Sequence, residues 1–191
     1  LKIFKKKLIL YIIMEESHSM ANSATSEKTM QHNPLSDQWC LWVHLPHDTD
    51  WSLNSYKKVF NTTSAEEVVA LNEAMSSRLV KNCMLFMMRK GITPLWEDPR
   101  NRQGGCFSYK VPNKTVYECW RSLVYSLTGE TLSKNKVLQK QINGITISPK
   151  KNFCVIKIWL SGCDFQDATL IDCTSGIESH GCLFKKHGPE Y

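Results

Sequence analysis

Along residues 38–45, QWCLWVHL, apolar side chains recur at every second position: Trp39, Leu41, Val43 and Leu45 fall on one side, Cys40, Trp42 and His44 on the other. A period of two with both sides largely apolar predicts a strand whose faces are both at least partly covered. PHDTDWSLN (46–54) is polar and irregular, a loop that nevertheless contains Trp51. The period then changes. In SAEEVVALNEAMSSRLV (64–80), Val68, Leu71, Met75 and Leu79 share one stripe and Ser64 pairs with Glu67 as a capping box, which predicts a helix. CMLFMMRKG (83–91) predicts a second strand, and CFSYKV (106–111) alternates again. TVYECWRSLVYSLTGE (115–130) carries the strongest helical signal: Thr115 and Glu118 cap it, Val116, Trp120, Leu123, Val124 and Leu127 line one face, and Gly129 can end it. A shorter helix is expected near 133–142. GITIS (144–148) and FCVIKIWL (153–160) read as a hairpin around PKKN, and LFKK as a closing strand. Strands in adjacent pairs with interspersed helices predict an α+β fold, an antiparallel sheet with helices packed on one face.

Charge and composition change this picture mainly at the N-terminus. The chain has 191 residues, 42% of them hydrophobic, which suits one globular domain with a tail. The formal net charge is +6, but LKIFKKKLILYII (1–13) holds four lysines and no acid, so removing those four charges leaves +2 for the rest. Overall charge does not argue for nucleic acid, and any anion binding has to come from a local patch. The apolar run from Leu8 to Met14 is too short to span a bilayer, and no small-residue cleavage site follows it. Translation is expected to start at Met14 or later, with 1–13 outside the native coding sequence, and 1–32 reads as a disordered tail before a domain at 33–191. The eight cysteines (40, 83, 106, 119, 154, 163, 173, 182) form no C-x-x-C pair and no zinc-like spacing with histidine. They read as buried free thiols in a reducing compartment, and no metal or other cofactor is expected.

The chemistry concentrates in two loops. GITPLWEDPRNRQGGCF (91–107) looks like a surface loop, yet Trp96 stands in its middle, followed by Glu97 and Asp98. Trp51 stands in the earlier loop. Singly, each indole can be a core anchor beneath its loop. Together they can sandwich a flat ring, and tryptophan favours a cationic ring over a neutral one. A carboxylate such as Glu97 can accept two N–H bonds from one edge of guanine, the base with two adjacent donors on its Watson–Crick edge, or it can be a solvated loop acid. A cationic guanine held in this way describes 7-methylguanosine.

At these residues the sequence resembles the cap-binding translation initiation factor family, eukaryotic initiation factor 4E. NPLSDQWCLW (33–42) is similar to the family's first strand, TDWSLN (49–54) to its first stacking loop, and GITPLWEDPRNRQGGCF to its Gly-Ile-x-Pro-x-Trp-Glu-Asp…Asn…Gly-Gly loop. ECWRSLVYSLTGE (118–130) resembles the helix ending in Gly-Glu, IKIWL (156–160) the strand whose Trp lies beside the base's methyl group, and GIESH (176–180) the Ser-His of the last strand. The resemblance covers roughly residues 33–180. It implies a curved antiparallel sheet of about eight strands with helices on the convex side. The cap would lie between Trp51 and Trp96, with Glu97 on its edge and Trp159 near the methyl, while Trp39 and Trp42 would be structural. It further implies a cytoplasmic, monomeric protein with no membrane association, acting in translation initiation or its regulation.

The chain departs from the family at both of its expected surfaces. The basic residues that grip the cap phosphates are replaced: Cys106 follows the Gly-Gly pair, Ser148 or its neighbours stand after ITI, and Val155 stands four residues before Trp159. Strand parity offers Lys157 on the face of Trp159, Lys110 on the face of Cys106, and Lys150 and Lys151 at the hairpin; any one of these can equally be a solvated surface lysine. On the convex side, where the family takes up a helical partner peptide, Val69 stands at a Trp position and Arg121 at an apolar one, while Pro34, Tyr125 and Gly129 stay compatible. The expected partners are capped mRNA and, with altered affinity, a translation scaffold or similar helical peptide. The segment between Trp159 and Ser179 is short, so the third helix is expected to be truncated or lost. The competing readings are a scaffold of the same fold with lost or altered cap affinity, serving protein contacts, and an enzyme acting on guanine nucleotides. Against the enzyme, the sequence has no G-x-G-x-x-G or P-loop, no dense run of glutamates for a divalent metal, and no nucleophile–base pair supported by spacing.

Overall fold

Seven strands form one antiparallel sheet in a computed structural model that describes residues 33–46, 48–172 and 176–188. The strands are β1 (Pro34–His44), β2 (Tyr56–Ser64), β3 (Met84–Arg89), β4 (Gly105–Pro112), β5 (Ile142–Pro149), β6 (Phe153–Leu160) and β7 (Leu183–Lys186). Their order across the sheet is β2-β1-β3-β5-β6-β4-β7. Helices α1 (Ala65–Ala74), α2 (Ser77–Asn82), α3 (Val116–Thr128) and α4 (Lys136–Gln141) cover one face. The tail expected over 1–32 lies outside the described residues.

The alternation read in the sequence decides which side chains meet the helices. Trp39, Leu41 and Val43 of β1, Leu85 and Met87 of β3, Ile145 and Ile147 of β5 and Ile156, Ile158 and Leu160 of β6 pack against Val68, Leu71, Trp120, Leu123, Val124 and Leu127 of the helices. The intervening positions point away from the helices. There Tyr56, Phe86, Met88, Ile92 and Trp159 form a second, smaller apolar cluster, flanked by Trp42, Met84 and Leu95. Both faces of the central strands are therefore buried, as the sequence pattern of β1 requires.

Several elements differ from the expectation. The helix expected over 64–80 is two helices, because Met75 is extended (φ −67°, ψ 114°) and the Ser76 side chain accepts a bond from Leu79 N–H, capping a new start. The Ser64–Glu67 capping box forms as expected. The Thr115 cap does not: its hydroxyl donates to Pro112 O at 3.3 Å instead, and Glu118 is left on the surface. Gly129 does close α3, but the positive φ, +56°, falls on the next residue, Glu130. Strand β2 was not expected at all. The connection from β6 to β7 contains, among the described residues, only the 3₁₀ turn Ala168–Leu170.

Candidate functional site

The first loop is built outward from the end of β1. His44 is buried, and its Nε2 lies 2.9 Å from Asp50 O. The Asp50 carboxylate accepts from Ser52 N–H at 2.8 Å and from the Ser52 hydroxyl at 3.0 Å, an Asx turn. Those two bonds, with smaller contributions from His44 and Lys57, hold the Asp50 carboxyl below the usual carboxylate range. Trp51, between the two, lies flat on His44, with ring centroids 4.4 Å apart and planes within 4°. One face of the indole is thus covered, and the residue is still 57% exposed. His44 in turn meets the edge of Tyr56 at 5.0 Å, and Tyr56 meets Phe86 at 5.3 Å, which ties the loop to the smaller apolar cluster.

The second loop is held from inside by one amide. Asn101 is fully buried, and its Nδ2 donates to Thr93 O at 3.0 Å and to Leu95 O at 2.8 Å, the carbonyls just before Trp96. Its Oδ1 accepts from Asn143 Nδ2 at 2.9 Å, and the same Asn143 amide reaches Arg100 O at 2.8 Å. Asp98 closes the turn by accepting from Thr93 N–H, the Thr93 hydroxyl and Arg100 N–H. Burial works against its charge, but these donors outweigh burial and hold its carboxyl below the usual value. On this frame Trp96 is 36% exposed and Glu97 is exposed beside it, with Arg102 donating to the Glu97 carbonyl at 3.3 Å. The two loops converge on Tyr56. Burial, then the charges of Glu97 and Asp50, push its phenol up to about 12, so an acid from each loop acts on the same hydroxyl.

The floor beside the loops follows from strand register. Trp159 stands opposite Gly144 on β5 and Cys106 on β4, and Cys106 stands opposite Lys185 on β7. Trp159 is nearly buried in the small cluster, and the His187 ring leans on it at 4.7 Å. His187 Nδ1 lies 2.7 Å from Asn101 O, so the imidazole joins β7 to the second loop. Burial pushes the His187 imidazole below its usual value, the bond to Asn101 opposes this, and the Lys157 charge adds to it. In the next row along the strands, Lys157 stands between Thr146 and Ser108, and in the row after that Lys110 stands opposite Val155. Lys110 Nζ sits over the Phe153 ring at 4.5 Å. Lys150 and Lys151 are exposed at the hairpin tip, roughly 20 Å along the strand from Trp159 at about 3.3 Å per residue.

Glycine is what lets the backbone come this close, as Gly104 and Gly144 show. A Cβ on Gly104 would collide with Leu160 O, and one on Gly144 with Met87 O. The sequence pattern alone did not single out His44, Tyr56, Asn101, Asn143, Thr146 or His187. The resemblance places the Ser-His of the last strand in GIESH (176–180); that segment precedes β7, and the histidine beside Trp159 is His187. The motif Asn…Gly-Gly could have pointed to Asn101, but its partner Asn143 lies 42 residues on.

On the opposite, helical surface Val69 and Tyr125 are 44% and 39% exposed, and Pro34 and Gly129 are exposed. Asn72 Nδ2 donates to Arg121 O at 3.1 Å, which sets α1 against α3. The Arg121 guanidinium lies over the Tyr117 ring at 5.5 Å, with Glu118 at 3.9 Å. Among the described residues no three His, Cys, Asp or Glu side chains are grouped to hold a metal ion, and no helix is long and apolar enough to cross a membrane.

A sequence model of the family "Eukaryotic initiation factor 4E" matches residues 34–173, well over half of the chain. The chain is 29% identical over 177 residues to eukaryotic translation initiation factor 4E-2 of Schizosaccharomyces pombe, an alignment covering 90% of this chain and 67% of that protein. It is 47% identical over 63 residues to the eukaryotic translation initiation factor 4E homolog of Acanthamoeba polyphaga mimivirus, covering 33% of this chain and 23% of that one. Its fold is similar to that of Schistosome eIF4E complexed with m7GpppG and 4E-BP, with a TM-score of 0.64 and 23% identity over 70% of this chain and 75% of that chain. The family match runs from the first strand through both tryptophan loops to the strand of Trp159, and the chain belongs to the eukaryotic initiation factor 4E family.

Proposed function

We propose that the protein binds the 7-methylguanosine cap of mRNA and acts in the cytoplasm in translation initiation or its regulation, by binding and not by catalysis, with residues 33–191 as the cap-binding domain and 1–32 as a tail. The observation that carries this reading is the exposure of two tryptophans on loops that are otherwise fastened to the core. Trp51 is 57% exposed with one face covered, and Trp96 is 36% exposed on a loop held by a fully buried asparagine. Rigid loops that hold large apolar rings toward solvent suit a ligand that is itself a flat ring. Relatives of the same fold have been crystallised with m7GpppG and with m7G cap.

In this reading the methylated base stacks between Trp51 and Trp96. Its positive charge is attracted to the indole faces, and Glu97 accepts its two edge N–H groups. Trp159 stands near the methyl. The phosphates run along β6 and β4 toward the hairpin, meeting Lys157 first, where Thr146 and Ser108 stand directly opposite, then Lys110, with Lys150 and Lys151 reached last. On the helical face, Pro34, Val69, Arg121, Tyr125 and Gly129 form the surface for a helical peptide of the translation scaffold, bound with altered affinity.

The test is titration of 7-methylguanosine triphosphate into the wild type, Trp51→Ala, Trp96→Ala and Glu97→Gln. Loss of one stacking face is expected to cost about 1–3 kcal/mol of binding. Glu97→Gln is expected to lose affinity because it turns an amide donor toward the base's own donors. Wild-type affinity in either tryptophan variant rejects the sandwich. A second reading, a scaffold of this fold without cap affinity, is favoured by Cys106, which is buried opposite Trp159 where a basic residue was expected. A folded wild type that ignores the methylated nucleotide establishes it.

A further inference from the structure

Beneath Trp51 lies a side chain that the cap-binding reading leaves unused. His44 is 2% exposed, and its imidazole stacks on the indole at 4.4 Å with the planes within 4°. Its Nε2 lies 2.9 Å from the carbonyl oxygen of Asp50, the residue immediately before Trp51. A carbonyl oxygen only accepts, so Nε2 carries a hydrogen and Nδ1 is the nitrogen that can take a second proton. One imidazole therefore holds the tryptophan twice, by its face and by the backbone that leads into it. The covered face belongs to His44, and the open face is the one left for a ligand.

We propose that His44 is a positioning residue for Trp51 and that its protonation state sets how well the open face of the indole receives a cationic ring; this rests on the cap-binding reading of the site. Neutral His44 backs the indole without opposing a positive ligand. Protonated His44 puts a cation behind the same π system, and the two charges then face each other through one indole. At a separation of about 8 Å the repulsion corresponds to a loss of affinity between about twofold in a water-like medium and about thirtyfold in a protein-like one. Linkage makes the effect reciprocal: a bound cationic base disfavours the second proton on His44, and a proton on His44 disfavours the cationic base.

The groups facing His44 are few. Asp50 lies on its own loop, and Tyr56 meets it edge-on from β2. Lys57 acts on Asp50, and Glu97 acts on Tyr56 from the second loop. Met84, opposite on β3, carries no charge. Carboxylates, lysines and phenols ordinarily keep one charge state between about pH 5.5 and 8, whereas histidine changes its charge there.

The experiment measures affinity for 7-methylguanosine triphosphate from about pH 5.5 to 8 in the wild type, His44→Phe and His44→Ala. Phenylalanine keeps a flat ring under Trp51 and cannot take a proton. His187 and the ligand's own ionisations change alike in all three proteins, so the difference between profiles isolates His44. In parallel, ligand-free emission is recorded over the same range for the wild type and Trp51→Phe, since a protonated imidazole quenches an indole stacked on it. The expected result is a wild-type affinity that falls toward acid pH more steeply than that of His44→Phe, an affinity in His44→Ala that is reduced throughout, and an emission step that disappears in Trp51→Phe. Identical pH profiles in the wild type and His44→Phe, or undiminished affinity in His44→Ala, overturn this inference and leave cap binding standing. A wild type with no Trp51-dependent emission change overturns it without any variant at His44. A wild type that binds no cap at any pH rejects the cap-binding reading, and this inference falls with it.

Discussion

Asn101 illustrates how much of the second loop rests on one residue. A fully buried amide spends both of its donors on the carbonyls of Thr93 and Leu95, and its oxygen takes a bond from Asn143. In Asn101→Ala both carbonyls lose their partner, at about 1–3 kcal/mol for each one left buried and unpaired. The expected outcome is a lower melting temperature together with a weaker cap titration, because Trp96 and Glu97 are carried on the segment those bonds hold. A variant that melts earlier yet binds the cap as tightly as the wild type would show that ligand alone can order the loop. Asp98 adds a pH signature. Its folded-state pKa is depressed, so its contribution is fully present above the ordinary unfolded value and is lost as pH falls through the lower folded one. Stability measured from neutral pH into acid should therefore fall more steeply in the wild type than in Asp98→Asn, which has given up that contribution already at neutral pH. The buried thiols point the other way: burial pushes Cys83 up to about 11 and Cys119 up to about 12, so neither is a thiolate near neutral pH.

At the scale of elements, the strands that carry the site were legible where the period of two was unbroken, and less so elsewhere. β1 and β4 alternate, β3 (MLFMMR) and β6 (FCVIKIWL) are nearly continuous apolar runs, and counting in steps of two along β6 and β4 is enough to put Lys157 on the face of Trp159 and Lys110 on the face of Cys106. β2 was missed for a physical reason. It is an edge strand bearing Lys57 and Lys58, and the β1–β2 register slips between Leu41 and Trp42, so neither hydrophobicity nor pairing regularity marks it. The break between α1 and α2 was hidden because Met75 stays buried on the same apolar stripe, although the chain there is extended. The partners of the site were hidden because they are long-range: Asn143 and His187 reach Asn101 from 42 and 86 residues away. Lys157 gives the element-scale prediction. It faces Thr146 and Ser108 across its two neighbouring strands, a polar row within the sheet. Lys157→Ala is expected to weaken binding of the triphosphate cap more than binding of 7-methylguanosine, and to flatten the dependence of affinity on salt by about one counterion's worth. Equal losses for both ligands would mean that the lysine supports the fold and does not meet phosphate.

For the whole molecule, the sheet separates two surfaces. One carries the tryptophan loops and the smaller apolar cluster; the other carries the helices, with the main core between them. On the helical side, Arg89 pairs with Asp37 of β1 at 2.6 Å and with Glu130 at the end of α3 at 2.7 Å while lying over the Trp39 ring, which ties β3 to β1 and to that helix end. On the helical surface the exposed apolar residues are sparse. Val69 and Tyr125 offer area, and Arg121, turned onto Tyr117 of its own helix, adds a charge to this surface. A peptide helix laid in such a groove draws most of its affinity from a few aromatic or aliphatic anchors, and valine provides far less contact area than tryptophan. A peptide with a Tyr-x-x-x-x-Leu helix is therefore expected to bind the wild type weakly and Val69→Trp more tightly. Cap affinity should be equal in the two proteins, because Val69 lies on the far side of the core from both loops. The comparison is made on cap resin and by direct titration of the peptide. Tight binding by the wild type that Val69→Trp does not improve would show that the groove is anchored away from α1. A change in cap affinity on Val69→Trp would show instead that the two surfaces communicate through the core between them.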